Sequence, residues 1–196
     1  MKLTTETNRF EDPPIAKALF ASPLFAGMWL ILRVWLGYQW FQAGEHKVFD
    51  PKWMETGEAL KGFWAKAVTV PATGKPVVAF DWYAGFLQGM LDGGHYVWFA
   101  KLVAVGEAAI GIALILGIFT GIAALAGGFM NWNFMMAGTA STNPLLFLVA
   151  VFLVLAWKVA GYWGVDRFLL PALGTPWMPG IFFQRPLATA PSRANR

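Results

Sequence analysis

Residues 24–44 read LFAGMWLILRVWLGYQWFQAG, an apolar stretch with one arginine, Arg33, near its middle. About 20 apolar residues cross the hydrocarbon core of a bilayer as a helix, so this stretch is long enough to span a membrane. A charge at mid-depth costs roughly 2.5–3.5 kcal/mol on insertion scales, and such residues usually face protein, water or a ligand. We therefore expect Arg33 to face the interior of a helical bundle.

The composition of the 196-residue chain is that of a membrane protein. Hydrophobic residues make up 57% and charged residues 13%, and the mean hydropathy is +0.51. Soluble domains carry about 25% charged residues. The chain has no cysteine, which excludes disulfides, thiolate metal sites and a cysteine nucleophile. The net charge of +4 is spread along the chain, so nothing indicates nucleic-acid binding.

Three further apolar runs, residues 97–116, 119–140 and 145–164, are each long enough to span a bilayer. Together with residues 24–44 they predict an all-α, four-helix transmembrane bundle. Residues 117–121 are the only break between the second and third runs, which predicts a tight antiparallel hairpin. Pro23 and Pro144 mark the starts of the first and fourth helices, where proline is tolerated.

The segment between the first two runs, residues 45–96, is too long for a bare loop in a compact protein. Its apolar positions predict two interfacial amphipathic helices, one around Trp53–Trp64 and one over 78–91, separated by the stretch from Pro71 to Pro76. The whole chain has 11 Trp and 17 Phe residues, enough aromatic side chains for belts at both membrane surfaces.

The predicted membrane domain, residues 24–170, is flanked by an N-terminal segment, 1–23, and by a basic, proline-containing tail, 171–196, expected to be extended. Seven Lys and Arg residues lie in the terminal segments outside the spans, against five in residues 45–96. Positive residues favour the cytoplasmic side, so both termini are predicted in the cytoplasm of a bacterial or archaeal cell. Residues 1–20 lack the apolar core of a signal peptide, and we expect the first span to be retained as an anchor.

Glu107 lies in the second run at a depth similar to that of Arg33 in the first. A cation and an anion on two antiparallel spans are natural partners, so we predict a buried Arg33–Glu107 ion pair. The pair has two possible roles. It locks the two helices together, or it also contacts a quinone headgroup or a substrate anion, or relays a proton.

Four amide side chains are predicted to share the outer half of the bundle: Gln39, Gln42, Asn131 and Asn133. They are candidates for binding a quinone carbonyl, and the alternative is hydrogen bonding between helices. The chain's two histidines, His46 and His95, lie at the two ends of residues 45–96, which we call the outer segment because it is predicted on the outer face of the membrane. They are candidates for proton transfer near neutral pH or for anion binding beside Lys47, and the alternative is a surface role. We predict no haem and no metal. Three methionines of the third run are expected to fill gaps between helices.

Four pieces of the sequence, in order, resemble the DoxX/DoxD family of membrane proteins. The first two are Arg33 and Gly37 followed by AGEHKVFDPKW (43–53), and GEAAIGIALILGIFTGIAAL (106–125). The other two, NWNFMMAGTASTNPLLF (131–147) and AGYWGVDRFLLP (160–171), resemble the DoxD-like branch, the large membrane subunit of thiosulfate:quinone oxidoreductase. The resemblance implies four transmembrane helices and a role beside the quinone pool with a partner subunit. It brings no agreed set of catalytic residues.

Three functions are compatible with the sequence. The first is the membrane subunit of a quinone-linked oxidoreductase, with quinone as cofactor and thiosulfate as the donor that the resemblance implies. The chain shows no redox centre of its own, so quinone or a partner's cofactor must supply one. The second is a non-catalytic accessory or scaffold subunit of a larger membrane complex. The third is a small anion carrier built around Arg33.

Overall fold

The computed structural model describes residues 12–175 and 178–183. The all-α class is confirmed, and the four longest helices are α2 (Ala26–Val48), α6 (Tyr96–Leu116), α7 (Thr120–Met136) and α8 (Asn143–Leu155). The shorter helices are α1 (Pro14–Ala21), α3 (Pro51–Met54), α4 (Glu58–Val68), α5 (Asp81–Asp92), α9 (Trp157–Ala160) and α10 (Asp166–Leu173). Two 3-10 turns, Pro23–Phe25 and Ile181–Phe183, and a two-residue antiparallel pair, β1 (Gly174–Thr175) with β2 (Met178–Pro179), complete the described residues.

The helix bounds depart from the predicted spans at three of the four positions. α6 begins and ends within one residue of the prediction, because Gly117 takes the left-handed conformation that ends a helix (φ 71°). α2 continues four residues beyond Gly44, to Val48. α7 ends at Met136 instead of Ala140, and the fourth run is divided at Ala156 into α8 and α9.

One described helix, α6, is by itself long and apolar enough to cross a membrane, with a mean hydropathy of 2.0 over its most apolar stretch. α1 and the stretch from Pro23 to Val48 meet the same criterion together, but the chain bends by 58° between them. α8 is apolar but only 13 residues long. By length and composition, one described helix could cross a membrane, or two if the bent pair forms one span, and the four-span arrangement stays a prediction.

α2 and α6 form the closest helix pair because glycines remove side chains from their contact. A Cβ at Gly37 would lie 2.9 Å from the backbone nitrogen of Ile115, and one at Gly44 or Gly111 would collide with the backbone of Ala108 or Phe41. Small residues let helix backbones approach closely. These contacts fix an antiparallel register in which residue 37 lies beside 115 and residue 44 beside 108.

α7 and α8 form a second antiparallel pair, and the two pairs pack together around a shared apolar core. Gly128 faces Ala150, and Gly121 faces Trp157. The core between the pairs includes Trp29, Leu36, Trp40, Leu114 and Leu153, all buried.

One end of the bundle, which we call the closed end, is held by Asp166. Both of its carboxylate oxygens accept hydrogen bonds from the backbone at the start of α7, from Phe119 N and Thr120 N at 2.7 Å each. Asp166 N in turn donates to Gly117 O at 2.8 Å. The hairpin between α6 and α7 is thereby tied to the turn that precedes α10.

At the opposite end, α3, α4 and α5 form a cover over the bundle, residues 51–92. As predicted, the outer segment is helical in two main pieces, although Gly57 (φ 70°) separates α3 from α4. Leu60, Trp64, Tyr83 and Leu87 are buried beneath the cover. The Tyr83 hydroxyl donates to Asn133 O and Oδ1 at 3.1 Å each, and burial raises the pKa of this hydroxyl above its ordinary value.

The prediction of an extended tail from residue 171 is wrong for the part that the structure describes. α10 continues through Pro171 to Leu173, and the chain then turns back through β1 and β2. Gly174 has φ 82°, which a glycine adopts without strain, and allows the reversal. Residues 184–196 of the predicted tail, and residues 1–11 of the N-terminal segment, lie outside the described residues.

Candidate functional site

A cavity of about 540 Å³ lies beneath the cover, lined by residues of α2, α3, α4, α6, α7 and α8. Its volume falls within the range of small-molecule sites in proteins. Aromatic and aliphatic side chains form much of the wall, including Trp53, Leu60, Phe63, Phe134 and Leu146. Nine of the 16 lining residues are polar or charged, and five of the eight predicted site residues are among them.

Lys47 and Glu107 form an ion pair in the wall of this cavity. Lys47 Nζ lies 2.5 Å from Glu107 Oε2 and also donates to Ala43 O at 3.2 Å. The Trp53 ring lies 5.2 Å from the ammonium, within the range of a cation–π contact. Glu107 is 1% exposed and the Lys47 side chain 22%, so the carboxylate is enclosed and the ammonium reaches the cavity.

The predicted Arg33–Glu107 ion pair is therefore wrong. The α2–α6 register places Gly44 beside Ala108, so Glu107 lies near residue 45. Arg33 is 11 residues before Gly44, which is about 16 Å along a helix axis. Equal depth in the two apolar runs did not predict contact, because the register of the helices places Gly44 beside Ala108 and α2 extends past the end of the first run. Lys47, beyond that end, takes the place assigned to Arg33.

Arg33 instead lies at the closed end. Its Nη2 donates to Trp163 O at 3.1 Å, and its guanidinium lies against Gly117 and Gly164, where any side chain would collide with it. It is 1% exposed and interacts electrostatically with Asp166. Among the described residues, Nε and Nη1 have no hydrogen-bond partner. Arg33 faces the protein interior, as predicted, but does not line the cavity.

Asn131 is the predicted amide that lies deepest in the cavity wall. It is 0% exposed, and neither its Nδ2 nor its Oδ1 has a hydrogen-bond partner among the described residues. Trp40 Nε1, also in the wall, is buried and unpartnered as well. Trp40 Nε1 lies against Gly127, one helical turn from Asn131 on the same face of α7. Two donors and one acceptor are therefore unpaired on one side of the cavity.

Gln39 and Gln42 also line the cavity, and Gln42 Nε2 donates to Tyr38 OH at 2.7 Å. Asn133 does not line the cavity, because two positions along a helix face different directions. Its Nδ2 donates to Phe129 O, and its Oδ1 and backbone oxygen accept from Tyr83. Asn133 therefore has the alternative role, hydrogen bonding between helices.

The two histidines are separated by the structure. His46 lines the cavity next to Lys47. His95 precedes α6 outside the cavity, where its Nδ1 accepts from Trp98 Nε1 at 3.3 Å. His46 stays a candidate for proton transfer, whereas His95 does not line the cavity.

The sequence analysis predicted no partner for Lys47, although it is a polar residue of the site. The available signal was spacing: Lys47 lies three residues after Gly44, so both face the same neighbouring helix. Thr139 and Asn143 also line the cavity. The sequence analysis placed Thr139 within the third span and Asn143 in the turn before the fourth, whereas Thr139 follows α7 and Asn143 begins α8.

The polar groups of the cavity wall, the unpaired atoms of Trp40 and Asn131 and the Lys47–Glu107 ion pair, are able to hydrogen-bond oxygen atoms of a small ligand. Trp40 Nε1, Asn131 Nδ2 and the Lys47 ammonium are donors suited to carbonyl oxygens, and Asn131 Oδ1 and Glu107 are acceptors suited to hydroxyls. No group of three or more His, Asp or Glu side chains within residues 12–175 and 178–183 is placed to hold a metal ion.

No family model, no curated protein and no solved structure matches the chain. The assignment to the DoxX/DoxD family therefore rests on the sequence motifs alone and stays a prediction.

Proposed function

We propose that the protein is an integral membrane subunit whose cavity binds the headgroup of a membrane quinone. The observation that carries this proposal is the buried Asn131 amide, which has no hydrogen-bond partner among the described residues yet lines a cavity. Leaving a buried polar group unsatisfied costs about 1–3 kcal/mol, so a partner in the cavity would recover that free energy. Trp40 Nε1, one helical turn away, adds a second unpaired donor.

The membrane setting is supported by the outward faces of all four long helices. Large apolar side chains are exposed on each of them, among them Ile31 (71%), Leu102 (57%), Ile122 (67%) and Leu155 (55%). Soluble monomers rarely expose contiguous apolar surface on this scale. We propose four membrane-crossing segments, the two shorter ones completed by the residues that follow α7 and α8, with both termini in the cytoplasm. Such a bundle would open the cavity side to the bilayer, where quinones reside.

The quinone would supply the chemistry that the chain lacks, namely reversible transfer of two electrons and two protons. The residues of the chain bind and orient it. Asn131 and Trp40 would donate to one oxygen of the headgroup, and Lys47 to another. Phe63, Phe134 and Trp53 would exclude water from the ring. Electrons would come from a partner subunit, and thiosulfate is the donor that the family resemblance implies.

Quinone content of the purified protein tests the proposal. Asn131→Leu removes both unpaired amide atoms at similar volume, so the variant is expected to retain less than about a fifth of the parent's quinone, since losing a neutral hydrogen bond and leaving the partner oxygen unpaired costs about 1 kcal/mol or more. Asn133→Leu is the matched control, on the same helix and outside the cavity. The measurement is quinone per protein by extraction and chromatography, with yield and thermal stability recorded in parallel.

Equal quinone in the parent and Asn131→Leu, or none in any preparation, would contradict the proposal and favour the accessory-subunit alternative. Stoichiometric co-purification with a larger complex would support that alternative. The anion-carrier alternative has less support, because Arg33 lies at the closed end, outside the cavity wall.

A further inference from the structure

We infer that Glu107 exchanges a proton with the bound headgroup, giving it up when the quinone is reduced and taking it back when the quinol is oxidised, and that Lys47 is a positioning residue that holds the Glu107 carboxylate at the cavity wall. This inference deepens the proposed function and rests on it. The sequence analysis offered proton transfer both to the histidines and to a pair that contains Glu107, and the geometry points to Glu107, paired with Lys47 inside the cavity.

The Glu107 carboxylate has hydrogen-bond acceptor positions that Lys47 does not fill. A carboxylate has about four acceptor positions on two oxygens. The described residues fill few of them, since the hydrogen bond from Lys47 reaches Oε2. Glu107 lines the cavity, so its remaining acceptor positions are available to a ligand hydroxyl.

Among the described residues that line the cavity, Glu107 is the enclosed side chain that can accept a proton from a ligand. The described residues that line the cavity include three titratable side chains: His46, Lys47 and Glu107. The Lys47 ammonium has no acceptor atom. The residues contributed by α3, α4, α7 and α8, such as Trp53, Phe63, Asn131 and Asn143, are uncharged. His46 is exposed, at the outer edge of α2. Glu107 is therefore the enclosed base, and His46 is placed to pass a proton to the surface.

The step itself balances for each electron removed. A hydroxyl of the headgroup donates a hydrogen bond to Glu107. When a one-electron acceptor such as ferricyanide takes an electron from the headgroup, the oxygen–hydrogen bond breaks and the proton goes to the Glu107 carboxylate. Lys47 remains beside that carboxyl group. The proton leaves Glu107 through His46, which restores the carboxylate for the second electron and proton. Electrons from the proposed partner subunit drive the same steps in reverse, and Glu107 then returns the proton to the headgroup oxygen.

The test uses the full chain in lipid nanodiscs, with decylubiquinol and decylubiquinone as probes and ferricyanide as the electron acceptor. Glu107→Gln keeps an acceptor oxygen but cannot take a proton. We expect it to bind both probes within about threefold of the parent, because the amide preserves the neutral part of the hydrogen bond. We expect oxidation of bound decylubiquinol to slow at least about tenfold, at the low end of what a positioned base contributes.

A second readout does not depend on turnover. The infrared difference spectrum between the quinol-bound and quinone-bound forms should contain carboxylate bands in the parent and in His95→Gln, which lies outside the cavity. The bands should be missing in Glu107→Gln. If that variant folds poorly, Glu107→Asp keeps the carboxylate and should shift the bands without removing them.

The outcomes separate this inference from the proposed function. Binding of both probes, with carboxylate bands and oxidation rates unchanged in Glu107→Gln, would overturn the role of Glu107 and leave the quinone site standing. Failure of the parent to bind either probe would overturn both. Loss of the bands and slow oxidation, with binding preserved, is the expected result.

Discussion

Lys47 and Glu107 form an ion pair, but the two residues left alone would differ in how well water can solvate their charges. Glu107 is 1% exposed, so a carboxylate left alone there has no water to replace its partner. The Lys47 side chain is 22% exposed and long, so its ammonium can turn toward solvent. The cost of breaking the pair should therefore depend on which residue is removed.

We predict that Lys47→Met destabilises the protein by about 3 kcal/mol or more, in the range measured for breaking buried ion pairs. Glu107→Gln should cost less than half as much, and the double variant Lys47→Met/Glu107→Gln should be milder than Lys47→Met alone. The measurement is reversible denaturation in mixed detergent micelles. Equal costs for the two single variants would show that the two charges are equally well solvated, against the burial described above.

At the residue scale, the sequence predicts which side chains are unusual better than it predicts their partners. Arg33 and Glu107 are both 1% exposed, as their position in apolar runs implies. Their partners depend on helix register, which is set by the backbone contacts at Gly37, Gly44 and Gly111. Asn131 and Asn133 were indistinguishable by type and depth, and only the rotation of α7 separates the cavity residue from the structural one.

At the scale of elements, the glycines of the α2–α6 contact determine the geometry of the site. Gly44 lies three residues before Lys47 and faces Ala108, the residue after Glu107. Separating the two helices at this point would also separate the two charges. Overpacking of a close contact typically costs 1–3 kcal/mol.

We predict that Gly44→Ala destabilises the bundle by about 1–3 kcal/mol and reduces quinone binding, because its Cβ would collide with the backbone of Ala108. Gly62→Ala is the control: Gly62 lies within α4, where a Cβ would meet nothing within 4 Å. Replacing a glycine inside an exposed helix should be neutral or stabilising by about 0.5–1 kcal/mol. Thermal unfolding and quinone retention, measured on both variants, check this. A tolerated Gly44→Ala with full quinone content would contradict the register.

Helix boundaries were predictable where a local sequence signal ends the helix. They were not predictable where contacts between helices determine the end. Gly117 ended α6 as expected, and the predicted pair of outer helices is present as α4 and α5. α2 continues through residues 45–48, where His46 and Lys47 line the cavity and Lys47 pairs with Glu107. The division of the fourth run at Ala156 follows no proline or glycine, so the sequence carried no signal for it.

At the scale of the whole molecule, the two ends of the bundle have different roles. The closed end joins the α6–α7 hairpin, Arg33 and Asp166 through hydrogen bonds and close contacts, and these residues do not line the cavity beneath the cover. The covered end contains the cavity, the Lys47–Glu107 pair and the unpaired Asn131. We interpret the closed end as the fixed part of the fold and the covered end as the binding part.

An apolar groove on the outer face of α2 and α6 offers the main alternative place for a quinone. It is lined by Leu30, Ile31, Val34, Trp35, Tyr38 and Ile115. A lipid tail or the isoprenoid chain of a quinone could lie there without any headgroup recognition, since five of the six side chains carry no oxygen. A direct map of the headgroup separates the two places.

The most direct measurement is photo-crosslinking with an azido-quinone whose reactive group is on the ring, followed by peptide mass spectrometry. We predict labelled peptides from residues 39–47 of α2 and from residues 131–146. Excess decylubiquinone and the Asn131→Leu substitution should each suppress the labelling. Labelling confined to 30–38 and Ile115, unaffected by Asn131→Leu, would contradict the cavity as the quinone site.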